Sequence, residues 1–190
     1  MDGHFVENLI LSPWVIEQIQ TVVSIPIDAH LMVTHPEKYL DALLKTDTMY
    51  ITMHIETLKN NAYILSDKIK KSGRKFGIAI SPESDTVFLR DMGSVADKIT
   101  IMTVTPGFSG NRFLPNMLDK IRKVKAIREH EGFSYLIEAD GACRKENFKL
   151  LSDAGTEVFV VGTSGLFSLH PDTEKAWELM MRGFNQEVKG

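Results

Sequence analysis

The chain has one cysteine, Cys143, and therefore no internal disulfide, which fits a reducing compartment. No run approaches the ~18 apolar residues of a membrane span, and Met1-Asp2-Gly3-His4 has no signal-peptide pattern. A cytoplasmic location is expected. Basic charge is not in excess either: 22 Lys and Arg against 25 Asp and Glu leave a net charge of −3, which gives no electrostatic case for nucleic acid or a membrane surface as partner. Low-complexity tracts and linkers are absent. What remains is 190 residues, 43% hydrophobic and 25% charged, enough for one sizeable core and too few for two comfortable domains, so residues 1–190 are read as one domain.

The first eight residues read as a glycine-containing loop. Ser12-Pro13 are an N-cap and first helical position, predicting a helix over Pro13–Val22. From there the pattern alternates. Strands are expected over Ile25–Val33, Met49–His54, Phe76–Ile80, Lys98–Val104, Tyr135–Asp140 and Val158–Val161. Helices are expected over Pro36–Lys45, Leu58–Lys71, Val87–Met92, Leu114–Glu131, Lys145–Ala154 and Asp172–Gln186. Strict βα alternation implies a parallel sheet with helices outside it, either an open doubly wound sheet or a (β/α)8 barrel. A barrel needs eight strands. Because the chain opens on a loop and a helix, the count suggests a TIM barrel lacking its first βα unit and second strand.

Candidate chemistry clusters at strand ends. In Ile27–Val33 one face carries Asp28, His30 and Met32, where a strand buried on both sides would be apolar. This strand alone leaves His30 open between a hydrogen-bonded core histidine and a ligand. Glu138 and Asp140 share a face, with Asp140 at the strand's C-terminal end, where barrel active sites lie. It suits a metal ligand, a proton carrier or a loop contact. His54 closes its own strand and reads as a supporting partner or a structural histidine. Gly77, Ala79 and Ser81 keep one strand face small. Two loops, Pro106-Gly107-Phe108-Ser109-Gly110 after one strand and Gly162-Thr163-Ser164-Gly165 after another, suit a phosphate held by backbone amides and hydroxyls. Neither contains Lys or Arg. The basic runs at Lys68–Lys71 and Lys120–Lys125 read as solvated helix faces.

Met1 to Val6, Asp28 to Val33, Met102 to Gly110, Asp140-Gly141 and Val161 to Phe167 together resemble the ribulose-phosphate 3-epimerase family. Leu11-Ser12-Pro13, Lys98 to Val104, Met117 to Lys120 and Val161 to Phe167 are similar to its D-allulose-6-phosphate branch, and Ala142 stands where pentose-phosphate members usually have glycine. The resemblance implies a TIM barrel of the ribulose-phosphate-binding type and a divalent cation (Zn, Mn, Co, Fe or Mg) assisting proton transfer at C3 of a ketose phosphate. His30 and Asp140 match two of four metal ligands, and Asp140 matches the acid that reprotonates C3. His30, Met32, Gly107, Phe108, Ser109, Gly110, Gly141, Gly162, Thr163 and Ser164 match substrate-binding positions, with His54 and Glu138 as supporting residues. A homo-oligomer is expected.

The family's other two ligands form a His-x-Asp pair on the strand before Met1, whose aspartate is also the base. Asp2 matches a different family aspartate and cannot replace it. Glu7 in place of a usual proline is minor. Two readings follow: an epimerase whose 190-residue form shows no C3 exchange and associates through open strand edges, or a non-catalytic sugar-phosphate-binding remnant.

Overall fold

The computed structural model describes residues 1–58 and 60–188. After an N-terminal loop closed by an isolated bridge between Asp2 and Leu9, the elements run α1 (Pro13–Gln20), β1 (Ile27–Leu31), α2 (Glu37–Leu43), β2 (Thr48–His54), α3 (Ile55–Leu58), α4 (Ala62–Lys71) and β3 (Lys75–Ile80). They continue with α5 (Leu89–Met92), β4 (Lys98–Met102), α6 (Met117–Glu131), β5 (Leu136–Asp140), α7 (Lys145–Ala154), β6 (Val158–Val160) and α8 (Thr173–Val188). All six expected strands are present, in one sheet of order β1-β2-β3-β4-β5-β6, every neighbouring pair parallel. Sequential parallel strands with helical crossovers make this an α/β fold of TIM-barrel type.

Several bounds differ from expectation for local reasons. The strand expected from Ile25 starts at Ile27, after Pro26, which has no N–H to give a ladder. The helix expected over Leu58–Lys71 is instead two, α3 and α4, with Asn61 in a non-helical conformation between them; Lys59 lies outside the described residues. Pro115 keeps α6 from starting at Leu114, while a left-handed Gly132 ends it where expected.

Side chains alternate across the sheet, but the polar face is the inner one. Ile51, Met53, Ile78, Ile80, Ile99, Ile101 and Ile137 point outward into the main core. Helices cover them with stripes at helical spacing, such as Ala62, Leu65 and Ile69 of α4 and Phe148, Leu151 and Ala154 of α7. Inside, Lys98 is 3% exposed and pairs with Asp28 and with Glu138 (2.8 Å), while Thr100 donates to the same Glu138 oxygen (2.7 Å) and Thr52 to Asp28 (2.8 Å). Mutual pairing is what makes buried charge tolerable here. Asp28, which the apolar-strand rule does not explain, has its reason in Lys98. Gly77 faces this interior with no room for more: an added Cβ would meet the Thr52 hydroxyl at 2.3 Å.

A smaller apolar cluster, Val6, Met32 and Met102 with Met1 and Phe5 against it, closes the inner space at the C-terminal end of the strands. No helix of the described residues is long and apolar enough to cross a membrane.

Candidate functional site

The C-terminal ends of β1, β2 and β5 bring together three of the residues picked out by sequence. His30 Nδ1 lies 3.4 Å from Asp140 Oδ2, both partly buried, and His30 Nε2 lies 2.9 Å from His54 Nε2 in a ring-to-ring hydrogen bond. His54 is fully buried beneath Phe5, their ring centroids 4.5 Å apart. Burial first, and then neighbouring His30, push the His54 pKa down against the pull of Glu56, so His54 is neutral at neutral pH. The backbone around Asp140 is held by Thr103, whose N–H donates to the Asp140 carbonyl at 2.8 Å.

Glu138 does not join this group. It is one strand pleat deeper, on Lys98 and Thr100, and contacts neither His30 nor Asp140 among the hydrogen bonds of the described residues. Burial outweighs Lys98 and raises its pKa. The shared face was correct; the depth was not, since two residues along a strand span ~6.6 Å.

Asp140 and Met32 line a cleft of about 270 Å3 together with residues of the two glycine loops, whereas His30 is not among its lining residues. Gly107 to Gly110 and Gly162 to Ser164 all line it, and the loops are tied together by Ser109 Oγ donating to Thr163 Oγ1 at 2.8 Å. Among the described residues no Lys or Arg lines the cleft. Gly141 and Ala142 line it next to Asp140, and Ala142 has φ +49°, a left-handed conformation in which a side chain costs about 1 kcal/mol. Residues 163–167 form a single π turn that sequence periodicity did not anticipate.

Other features were invisible in sequence. Asn8 Nδ2 donates to the Gly107 carbonyl at 2.9 Å, docking the N-terminal loop against a phosphate-loop candidate 99 positions away. Asp2 anchors that same loop. Burial opposes its charge, but bonds from the Thr34 hydroxyl and N–H and from the N–H groups of Phe5 and His4 outweigh it, holding the carboxyl well below the usual range. With its oxygens so engaged, Asp2 is a structural anchor. Lys120 corrects the solvated-face reading: its ammonium donates to the carbonyls of Ser81 (2.9 Å), Pro82 (2.7 Å) and Ser84 (2.7 Å), fixing the loop after β3. His35 and His170 are loop residues, as expected, bonded to Glu37 and to the Asp172 N–H.

Glu56 is also held low. Burial works against its charge, yet the His54 ring, the Ser84 hydroxyl and the Ser81 N–H together bring its pKa down to about 2. Asp2 and Glu56 thus titrate lower folded than unfolded, where carboxyls lie near ~4. The unfolded chain binds more protons below that point, so stability present above pH ~4.5 is lost as the pH falls toward ~2. Urea midpoints should drop steadily from pH 5 to 3; a flat midpoint would contradict these anchors.

The His30–Asp140 pair suits a shared cation. One nitrogen and one oxygen 3.4 Å apart match the edge of a tetrahedron with ~2.1 Å metal bonds. They are two donors, and no group of three or more His, Cys, Asp or Glu that could hold a metal ion occurs among the described residues.

Comparison with solved structures bears on the fold. A 3-hexulose-6-phosphate synthase from Salmonella typhimurium superposes with TM-score 0.69 at 15% identity, covering 92% of this chain and 81% of that one. A tryptophan synthase alpha-subunit variant from Pyrococcus furiosus gives TM-score 0.61 at 16% identity, over 94% and 72%. Sequence relatives are nearer. Ribulose-phosphate 3-epimerase of Aquifex aeolicus is 35% identical over 95% of this chain and 82% of its own length, and that of Bacillus subtilis 33% identical over 86% and 76%. The profile of the ribulose-phosphate 3 epimerase family matches residues 1–167. With the strand-end pair and the two joined loops lying within that span, the chain belongs to the ribulose-phosphate 3-epimerase family, a family of isomerases.

Proposed function

We propose that this cleft serves epimerisation at C3 of a ketose phosphate, D-allulose 6-phosphate to D-fructose 6-phosphate, with ribulose 5-phosphate to xylulose 5-phosphate as the alternative, in the cytoplasm. The observation carrying this reading is that Asp140, paired with His30 behind it, lines the same cleft as the two tied glycine loops. The phosphate sits on the amides of Gly107, Ser109, Gly110 and Gly162 and the hydroxyls of Thr163 and Ser164, with Phe108 and Gly141 beside the chain. Met32 packs on the reacting carbon. Similarity of the stretches around Leu11 and Val161 to the allulose branch, and Ala142 in place of glycine, favour the hexose phosphate.

His30 Nδ1 and Asp140 Oδ2 would hold a divalent cation (Zn, Mn, Co, Fe or Mg), which when bound supplies Lewis-acid stabilisation of the developing enediolate. Asp140 delivers a proton to one face of C3 after a second group has removed the proton from the other face, and in the reverse reaction it is Asp140 that removes the proton. Inversion needs a second acid–base group on the opposite face, and among the described residues Asp140 is the only carboxylate lining this cleft. β1 and β6 each have one strand neighbour in the described sheet. We place the family's His-x-Asp strand in that gap, where it supplies the other two ligands and the base.

The test measures inversion and deuterium uptake at C3 in D2O, with added divalent cation, for the 190-residue chain and for the same chain preceded by its genomic upstream segment. Inversion only in the longer protein is expected. Inversion by the 190-residue chain would refute this placement of the base, and none in either would favour a non-catalytic sugar-phosphate binder, a reading the partial donor set supports.

A homo-oligomer is also proposed. Leu9, Leu11, Trp14, Val22 and Ile25 are each more than half exposed on one segment, and α1 within it buries no residue. Sedimentation velocity should show association; a clean monomer would contradict it.

A further inference from the structure

The loop before α1 contributes its own side to the cleft: Met1, Asn8 and Ile10 line it together with residues of both glycine loops. That loop is fastened at several points. Asp2 and Leu9 form a bridge, the Gly3 N–H donates to the Asn8 carbonyl at 3.0 Å, and the Met1 ammonium donates to the Ile10 carbonyl at 3.1 Å. Val6 is buried against Met32 and Met102. Gly107 lies on the same Val6, so closely that an added Cβ would meet the Val6 Cβ at 3.2 Å. The N-terminal loop and the first glycine loop are thus packed on each other as well as hydrogen-bonded.

Asn8 sits at that contact, and its polar groups can be counted. Its N–H donates to the Val6 carbonyl at 2.8 Å, and its own carbonyl accepts from Gly3. In the side chain, Oδ1 accepts from the Leu9 N–H at 2.9 Å and Nδ2 donates to the Gly107 carbonyl at 2.9 Å. A backbone N–H only donates and a backbone carbonyl only accepts, so these two partners leave one orientation for the amide. An amide nitrogen carries two hydrogens. Gly107 takes one, and among the described residues no second acceptor bonds Nδ2. One N–H is therefore left over, on a side chain held at both ends in the wall of a cleft where no described Lys or Arg is present.

We propose that Asn8 is a third element of the phosphate grip, giving its second Nδ2 hydrogen to a phosphate oxygen of the ketose phosphate held by the two glycine loops. This rests on the phosphate reading above. A hydrogen bond to a phosphate anion is charge-assisted and roughly twice as strong as a neutral one. Because Leu9 and Gly107 fix the amide before a ligand arrives, little side-chain ordering is left for binding to cost.

The primary readout is the pair of side-chain amide proton resonances of Asn8 in the 15N-labelled 190-residue chain, titrated with inorganic phosphate and with D-fructose 6-phosphate. With either probe one of the two protons, the one not on Gly107, should move downfield as the amides of Gly107 to Gly110 and Gly162 to Ser164 shift. Asn8→Ala should bind both probes about 10–100-fold more weakly, the loss expected for a hydrogen bond to a charged group. Loop shifts in wild type with both Asn8 protons unmoved overturn the proposal and leave the phosphate reading standing, even if the variant fails to fold. Movement with D-fructose 6-phosphate but not with inorganic phosphate puts Asn8 on the sugar and overturns the proposal as well. So does an Asn8→Ala affinity within about threefold of wild type. No shift at Asn8 or at either loop with either probe overturns the proposal together with the phosphate reading.

Discussion

Asp140→Asn should lower the rate of C3 inversion by about 10²–10⁴-fold, the range for losing a positioned acid–base group. The effect is measured in the protein that contains the second acid–base group. Asparagine has the same shape, and the Asp140 backbone is held through Thr103 rather than through the carboxylate, so the fold should survive. What disappears is a group able to carry a proton, together with the anionic oxygen facing His30 Nδ1. Affinity for the phosphate end should change by less than about threefold, because the proposed phosphate contacts are the two glycine loops and not the Asp140 carboxylate. Inversion retained within tenfold of wild type would remove Asp140 from the chemistry.

The second large effect falls on stability. Lys98→Met should cost about 3–5 kcal/mol of unfolding free energy, as expected when one partner of a buried ion pair is removed. The stem volume is kept, but the Asp28 and Glu138 carboxylates then face each other inside the sheet without their shared cation. Because burial already raises the Glu138 pKa, proton uptake there should relieve part of the cost, making the variant relatively less impaired at pH 5 than at pH 8. The triple variant with Asp28→Asn and Glu138→Gln should regain most of the loss. Denaturant unfolding checks both, and a loss under 1 kcal/mol for Lys98→Met would mean the triad does not carry charge as drawn.

These two effects divide along what sequence alone could reveal. His30 and Asp140 were legible because strand alternation and the position of strand ends are local properties, and a polar residue on an otherwise apolar strand stands out. Both glycine loops were legible for the same reason, although their mutual contact through Ser109 and Thr163 was not. Lys98 was hidden because its partners lie 70 and 40 positions away on other strands, and a lysine at a strand start reads as solvent-exposed. Lys120 was misread because its helix is polar on most faces, while its target is a row of carbonyls from a distant loop. Glu138 shows the limit of parity: alternation says which face a residue takes and nothing of how far it lies from the mouth. Glu56 follows His54 by two positions, yet its lowered pKa depends also on bonds from Ser81 and Ser84.

The most direct test is a titration of the 15N-labelled 190-residue chain with a ketose phosphate, followed through its backbone amide resonances. Gly107 to Gly110, Gly162 to Ser164 and Asp140 to Ala142 should shift together with a single dissociation constant. Shifts confined to a separate pocket lined by Arg144, Lys145 and Gly183, or none at either loop at saturating ligand, would show that the joined loops and the His30–Asp140 pair do not form one sugar-phosphate site.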